Sequence, residues 1–152
     1  MDAKDRKILR ILQQDAETPV AEIAERVHLS QTPCWRRIQK LREAGIIRKY
    51  VALCDPKALN LSATVFVSIR TNQHNQAWLE RFAEGVSQIP EIVEIYRMSG
   101  EVDYLLRVVV PDIAGYDAVY KRLIRVAELM DVSSAFAMEQ MKYTTVLPLD
   151  HV

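Results

Sequence analysis

Residues 30–49, SQTPCWRRIQKLREAGIIRK, constrain this chain more than any other segment, because a bounded helical pattern coincides with concentrated positive charge. Ser30 is a favourable N-cap and Gly45 a favourable residue just past a helix end, which predicts a helix between them. Glu43 is the only acid among six basic residues, which are Arg36, Arg37, Lys40, Arg42, Arg48 and Lys49. A helix charged in this way fits the DNA major groove.

Two shorter helices are expected before this one, at residues 2–14 and 19–26. Each has apolar residues at helical spacing (Ile8, Ile11 and Leu12 in the first; Val20, Ile23, Ala24 and Val27 in the second). Thr18 is expected to cap the second helix, with Pro19 as its first residue. A short turn at His28 separates the second helix from the basic one. Two helices joined by a tight turn, the second one basic, are typical of a helix-turn-helix.

At about 100° per residue, one face of the third helix is apolar and the opposite face carries Thr32, Arg36 and Lys40. We expect this outward row to enter a groove, with Arg36 contacting guanine and the other cations holding phosphates. The predicted DNA-binding residues are Ser30, Gln31, Thr32, Pro33, Arg36, Arg37, Lys40, Arg48 and Lys49. The alternative is an ordinary solvated basic surface. Trp35 is expected to be a packing residue, and Cys34 a small core residue.

Composition excludes several classes of protein. There is no apolar run of about 18 residues, so no membrane span is expected, and the charged start argues against a signal peptide, which favours the cytoplasm. The two cysteines, Cys34 and Cys54, form no CxxC pair and predict no metal site. Residues 1–50 contain 11 Lys/Arg and 7 Asp/Glu (+4), and residues 51–152 contain 9 and 13 (−4). This asymmetry suits a DNA-binding module joined to another domain.

The second part of the chain alternates between strand and helix patterns. Strands are expected at residues 61–70, 91–99, 104–110 and 132–146, and helices at residues 75–86 and 112–126, the latter capped by Asp112 and burying Ile113, Tyr116, Tyr120 and Leu123. The β-rich residues 46–54 predict one further strand, a wing that leaves the helical unit. The fold class is therefore α+β: a winged helix-turn-helix domain at 1–52, a linker at 53–60 and a ferredoxin-like βαββαβ domain at 61–152.

A ferredoxin-like sheet has helices on one face only. The other face is expected to be apolar here, since Ile92, Tyr96 and Met98 alternate on one strand and Arg107 is the only charge on its neighbour. A second copy of the chain is expected to cover it, giving a homodimer. The alternative is a monomer whose N-terminal module folds onto that face.

The runs DRKILRILQQDA and VAEIAERVHLSQTPCWRRIQKLREAGIIRKYVALCDP resemble the Lrp/AsnC family of transcription regulators, and RMSGEVDYLLRVVVPD resembles the ligand-responsive domain of that family. The resemblance covers nearly the whole chain. It implies dimers, in many members assembled as octamers of four dimers, and a small amino acid that binds between C-terminal domains and shifts assembly or DNA affinity. By position, the implied effector-binding residues are Met98, Ser99, Gly100, Val102, Asp103 and Tyr104 in a turn, and Ser133, Ser134 and Ala135 in the last strand.

Each of these residues also has a structural explanation, since Asp103 and Gly100 suit a turn regardless of any ligand. The only cations near these stretches are Arg97 and Arg107, which favours a small neutral amino acid as the effector. No enzyme is expected, because the chain has no GxSxG, phosphate loop or HExxH, and no cofactor is implied. The alternative function is an amino-acid-sensing regulatory subunit, or a co-assembling partner, without its own DNA target.

Overall fold

The computed structural model describes all of residues 1–152 and divides the chain into two compact units. The first consists of Met1–Ala52 together with Met141–Val152, and the second of Leu53–Gln140. The last twelve residues thus group with the helical unit, although they were predicted to belong to the C-terminal domain. None of the helices is both long and apolar enough to span a membrane.

The first unit contains three helices, α1 (Ala3–Gln14), α2 (Val20–Arg26) and α3 (Gln31–Glu43). A capping box starts α1: the Asp2 carboxylate accepts from the backbone N–H of Asp5, and the Asp5 carboxylate accepts from the N–H of Asp2. The helices share one apolar core, formed by Ile8, Leu9, Ile11, Ile23, Ala24, Val27, Cys34, Ile38 and Leu41. The predicted helix-turn-helix is confirmed.

The helix boundaries differ slightly from the sequence prediction. Pro19 occupies the N-cap position of α2, without any side-chain cap, and the Thr18 hydroxyl donates to the Asp15 carbonyl instead. Ser30 is at the N-cap of α3 as predicted, but its side chain makes no capping hydrogen bond. Gly45, just past the end of α3, has a φ of +71°, the left-handed conformation that favours glycine.

Residues 46–54 form no strand, contrary to the prediction, so the helix-turn-helix has no wing within this chain. The N–H groups of Ile46 and Ile47 donate to the Leu41 carbonyl and close the end of α3. The residues that follow are exposed and pair with no strand of the chain. β propensity alone does not make a strand, because a strand requires a neighbour to which its backbone can hydrogen-bond.

The second unit follows the order β1 (Ala63–Arg70), α4 (Gln76–Ser87), β2 (Ile92–Arg97), β3 (Tyr104–Val110), α5 (Ile113–Val126) and β4 (Asp131–Phe136). The strands form one antiparallel sheet in the order β2-β3-β1-β4. This is the predicted ferredoxin-like α+β arrangement. The helices begin at side-chain caps, since Asn75 accepts from the N–H of Trp78 and Asp112 from that of Gly115.

The core of this unit lies between the two helices and one face of the sheet. Its largest side chains include Trp78 and Phe82 of α4, whose rings are stacked with centroids 4.9 Å apart. Tyr116 and Leu123 of α5 are buried as predicted. Ile113 is 72% exposed, so its predicted burial was wrong. It is the first residue of α5, at an end of the helix that the core does not cover.

The last strand is shorter than predicted and ends at Phe136 rather than Val146. In the antiparallel pairing, Phe136 lies opposite Val65, and the N–H of Ala137 donates to the Thr64 carbonyl. Because β1 begins at Ala63, it offers no further partners to the residues that follow. Residues 137–145 are consequently exposed and without regular structure.

Candidate functional sites

The third helix presents the predicted polar row to the surface. Thr32, Arg36 and Lys40 are exposed, whereas the opposite face is buried in the helical core. Ser30, Gln31 and Pro33 are exposed at the start of the same helix. A shallow cleft of about 480 Å³ runs beside α3 and is lined in part by Pro33, Arg36 and Lys40. The cations of this row make no ion pair within the chain, so their charges are available to an anionic partner.

Arg37 differs from the other predicted DNA contacts. Its Nη1 donates to Asp2 Oδ2 at 2.6 Å and to Asp5 Oδ1 at 2.8 Å. These hydrogen bonds, Asp5 first, raise the pKa of Arg37, and the two carboxylates balance its charge. Arg37 thereby ties α3 to the first turn of α1, a structural role that competes with the predicted phosphate contact.

The basic residues after α3 are divided between surface and internal contacts. Arg48 and Lys49 are exposed in the extended segment. The Arg42 guanidinium lies 5.7 Å from the ring centroid of Tyr50, which is a cation–π distance. Arg42 therefore has a partner within the chain, whereas Arg48 and Lys49 have none.

The structure corrects one expectation on α3 and confirms another. Trp35 was expected to pack, but it is 51% exposed and belongs to neither core. Cys34 is fully buried in the helical core, as expected, and burial raises the pKa of its thiol.

The turn between β2 and β3 is built around Gly100 and Asp103. Gly100 has a φ of +110°, a conformation that L side chains rarely adopt, and the N–H of Met98 donates to the Asp103 carbonyl at 2.8 Å. Asp103 Oδ2 accepts from the buried Thr71 N–H at 2.8 Å. Its other oxygen, Oδ1, has no partner in the chain. Met98, Ser99, Gly100 and the partly buried Val102 lie in this turn.

Tyr104, predicted by position to bind the effector, does not present its ring to this turn. Its ring is buried in the core, with its centroid 4.9 Å from that of Phe82 and 5.8 Å from that of Trp78. Strand alternation explains this placement: Tyr104 begins β3 on the helix-facing side of the sheet, with Leu106 and Val108.

The three effector-binding residues predicted in the last strand are divided between the two faces of the sheet. Ser134 lies opposite Val67 on the helix-facing side, and its hydroxyl hydrogen-bonds to that of Tyr116. Ser133 and Ala135 face the other way. Strand β1 lies between β4 and the β2–β3 turn. The effector-binding residues predicted in the turn and those predicted in the last strand are therefore not side by side within one chain.

The face of the sheet opposite the helices is amphipathic. Phe66 is 40% exposed and Tyr96 53% exposed, while Arg107 pairs with Glu94 across β2 and β3 at 2.7 Å. Ile92 packs against the helix-facing core instead of this face, contrary to the prediction. An irregularity between Ile92 and Glu94 shifts the alternation of β2.

Sequence reasoning did not predict a cleft of about 910 Å³ beside the start of β4. Its charged lining residues are Arg81, Arg125, Glu128 and Asp131, none of which forms an ion pair. No spacing in the sequence indicates this cleft, because its residues come from the loop after β1, from α4 and α5, and from the start of β4 with the loop before it. No group of three or more His, Cys, Asp or Glu side chains is arranged to hold a metal ion.

Comparison with known proteins agrees with this architecture. The AsnC-type helix-turn-helix domain matches residues 1–42, and the Lrp/AsnC ligand binding domain matches residues 64–147. The chain is 48% identical over 151 residues to the DNA-binding transcriptional activator DecR of Escherichia coli K12, covering 99% of each protein.

Two solved structures share the fold along their whole length. An AsnC family transcriptional regulator from Agrobacterium tumefaciens is 67% identical, with a TM-score of 0.96 and 99% of each chain covered. A transcriptional regulator from Neisseria meningitidis, solved in complex with L-Met, is 36% identical, with a TM-score of 0.94 and coverage of 99% of this chain and 98% of that one. The chain therefore belongs to the Lrp/AsnC family of transcriptional regulators.

Proposed function

We propose that the chain is a sequence-specific DNA-binding transcriptional regulator, and not an enzyme, whose α3 enters the major groove. The observation that carries this proposal is the exposed row Thr32, Arg36 and Lys40 on a helix whose other face is buried. Arg36 has the donor geometry for bidentate contact with guanine. Lys40, Arg48 and Lys49 hold phosphates, and Ser30, Gln31 and Pro33 lie at the groove edge. The matched relatives are bacterial, and bacterial chromosomal DNA lies in the cytoplasm, which is the location proposed for this regulator.

Selection from a pool of random-sequence DNA duplexes tests this function. The full-length protein is expected to enrich a defined sequence, and binding to it should weaken steeply as salt rises, because phosphate contacts release counterions. Recovery of random sequences after repeated rounds would contradict the proposal. The enriched duplex then serves as the probe in the experiments on individual residues.

The effector is proposed to be a small amino acid bound at the turn between β2 and β3. In support, the Neisseria relative was solved with L-Met. Asp103 has one carboxylate oxygen free to accept from an α-amino group, and the turn backbone has N–H groups suited to a carboxylate. The proposed contacts are Met98, Ser99, Gly100, Val102 and Asp103 of one chain, with Ser133 and Ala135 supplied by a neighbouring chain.

A thermal-shift screen of the full-length protein against the twenty amino acids tests the effector. An amino acid that binds the native state raises the free energy of unfolding by mass action, by about 2.7 kcal/mol at a concentration of one hundred times Kd, and so raises the melting temperature. Neutral amino acids such as methionine are expected to stabilise the protein, and acidic ones to have little effect. A melting temperature unchanged by all twenty would contradict the proposed effector class.

We further propose that two chains associate through the exposed sheet face, and that four such dimers form an octamer. Phe66 and Tyr96 expose apolar surface there, and the charges of Arg107 and Glu94 balance each other in an ion pair beside them. Association also accounts for an effector site shared between chains, because β1 separates the β2–β3 turn from the β4 residues within one chain. Sedimentation equilibrium of the full-length protein measures the assembly, and a monomer at micromolar concentration would contradict it.

A further inference from the structure

The two tryptophans of the chain have opposite environments. Trp78 is 5% exposed, stacks on Phe82 and donates its indole N–H to the Glu128 carbonyl at 3.0 Å. Trp35 is 51% exposed, stacks on no aromatic ring and donates to no acceptor. Packing therefore accounts for Trp78 but not for Trp35.

Trp35 lies on a flank of the outward row of α3, beside the first residues of the helix. Helical geometry places it about 40° from Gln31, about 60° from Thr32 and about 100° from Arg36 around the axis. Gln31, Thr32 and Arg36 are all exposed. A large apolar ring is thus set within a polar and cationic surface, where water is a poor partner for it.

We propose that Trp35 is a specificity-determining residue that reads thymine methyl groups in the major groove. The C5-methyl of thymine is the apolar group that distinguishes A·T from G·C pairs there, and apolar side chains recognise it by contact. Arg36 reads guanine through hydrogen bonds, and Trp35 reads thymine through apolar contact. The inference rests on the proposed DNA-binding function and extends it to a second base-reading side chain.

Intrinsic fluorescence provides the first test, because the chain has only two tryptophans. Adding the duplex enriched by the wild-type protein is expected to change the Trp35 emission. Trp35→Phe retains only the buried Trp78, and its emission should not respond to the duplex. An equal response in the wild type and in Trp35→Phe overturns the proposal.

Removal of the thymine methyl groups tests the contact itself. Replacing each thymine of the enriched duplex by uracil deletes only the C5-methyl, and each lost contact is expected to weaken wild-type binding about fourfold. Trp35→Ala should bind thymine and uracil duplexes equally while keeping the wild-type salt dependence, since its phosphate contacts are intact. A variant that still prefers thymine by the wild-type factor overturns the proposal.

The outcomes separate this inference from the function on which it rests. If the wild type enriches no sequence, the DNA-binding function itself fails. If it enriches a sequence but Trp35→Ala keeps full affinity and thymine preference, only the role of Trp35 fails. If Trp35→Ala instead changes the sedimentation of the free protein and leaves its thymine preference unchanged, Trp35 belongs to a protein interface and the proposal is overturned.

Discussion

The Asp103 carboxylate accepts a hydrogen bond from the backbone N–H of Thr71 at 2.8 Å. This bond joins the β2–β3 turn to the end of β1. There the Arg70 carbonyl accepts from the N–H of Met130, just before β4. One hydrogen-bonded row therefore connects the turn, β1 and the start of β4. An effector bound at Asp103, as proposed, would therefore lie one hydrogen bond from the end of β1.

Substitution of Asp103 separates its structural role from its proposed effector role. Asp103→Ala leaves the buried Thr71 N–H without an acceptor, which should lower the free energy of unfolding by about 1–3 kcal/mol. Asp103→Asn keeps an oxygen acceptor but loses the charge that pairs with an amino group. Its stability should be close to wild type, while its thermal shift with the stabilising amino acid is lost. A wild-type thermal shift in Asp103→Asn would place the effector elsewhere.

The contact between Asp2 and Arg37 predicts a pH dependence of stability. The N–H of Asp5 and, secondarily, the Arg37 guanidinium lower the pKa of Asp2 from 3.8 to about 2. A carboxylate whose pKa is lowered by folding stabilises the native state above pH 3.8, and this contribution is lost as the pH falls toward 2.

Urea unfolding between pH 2 and 5 measures this contribution. Arg37→Gln should flatten the acid-induced loss of stability, although not abolish it, because the Asp5 N–H still holds Asp2. Arg26→Gln is the control, since it breaks only the exposed pair with Glu22 at 3.8 Å and should keep the wild-type profile. Coinciding profiles for wild type and Arg37→Gln would contradict this account.

The C-terminal tail is expected to stabilise the helical unit. Leu149 packs against the core of that unit, the backbone N–H of Leu147 donates to Gln13 Oε1 at 2.7 Å, and Asp150 pairs with Arg10. Leu149→Ala should cost about 1–2 kcal/mol in urea unfolding, because its side chain is only partly buried. Leu147→Ala is the matched control: its side chain is 68% exposed and should contribute less than about 0.5 kcal/mol. Equal losses in the two variants would mean that the tail does not stabilise this unit through Leu149.

The proposed dimer predicts a strong effect of charge at Phe66. Phe66→Glu places like charges on the sheet face of both chains, which should cost several kcal/mol and weaken the dimer at least about a hundredfold. Ile113→Glu places the same charge on an exposed residue of the helical layer and should leave the dimer intact. Sedimentation velocity distinguishes the two results. A dimer that survives Phe66→Glu would exclude this face.

The parts of the fold that depend on local pattern could be predicted from the sequence. The periods of the apolar residues identified the helices and the four sheet strands, and Asp112 was recognised as a cap. Two of the larger errors involve long-range partners. Residues 46–54 have strand propensity but no neighbour within the chain, and β4 stops where β1 ends.

The site was less predictable because exposure depends on tertiary packing. Trp35 was expected to pack because its type usually does, and Tyr104 was expected at the site although its ring completes the core. The hydrogen bond from Leu147 to Gln13 joins residues that are 134 positions apart, and no local pattern predicts such a contact. The division of Ser133 and Ser134 between opposite faces required the register of β4 on β1.

The most direct test of the central claim is the affinity of Arg36→Ala for the duplex enriched by the wild-type protein. We expect a loss of sequence discrimination of about 1–3 kcal/mol, roughly 5- to 150-fold, with the wild-type oligomeric state retained. Arg42→Ala is the matched control on the same helix, because Arg42 contacts Tyr50 and should leave discrimination unchanged. Wild-type discrimination by Arg36→Ala would contradict the assignment of the outward face of α3 as the DNA-reading surface.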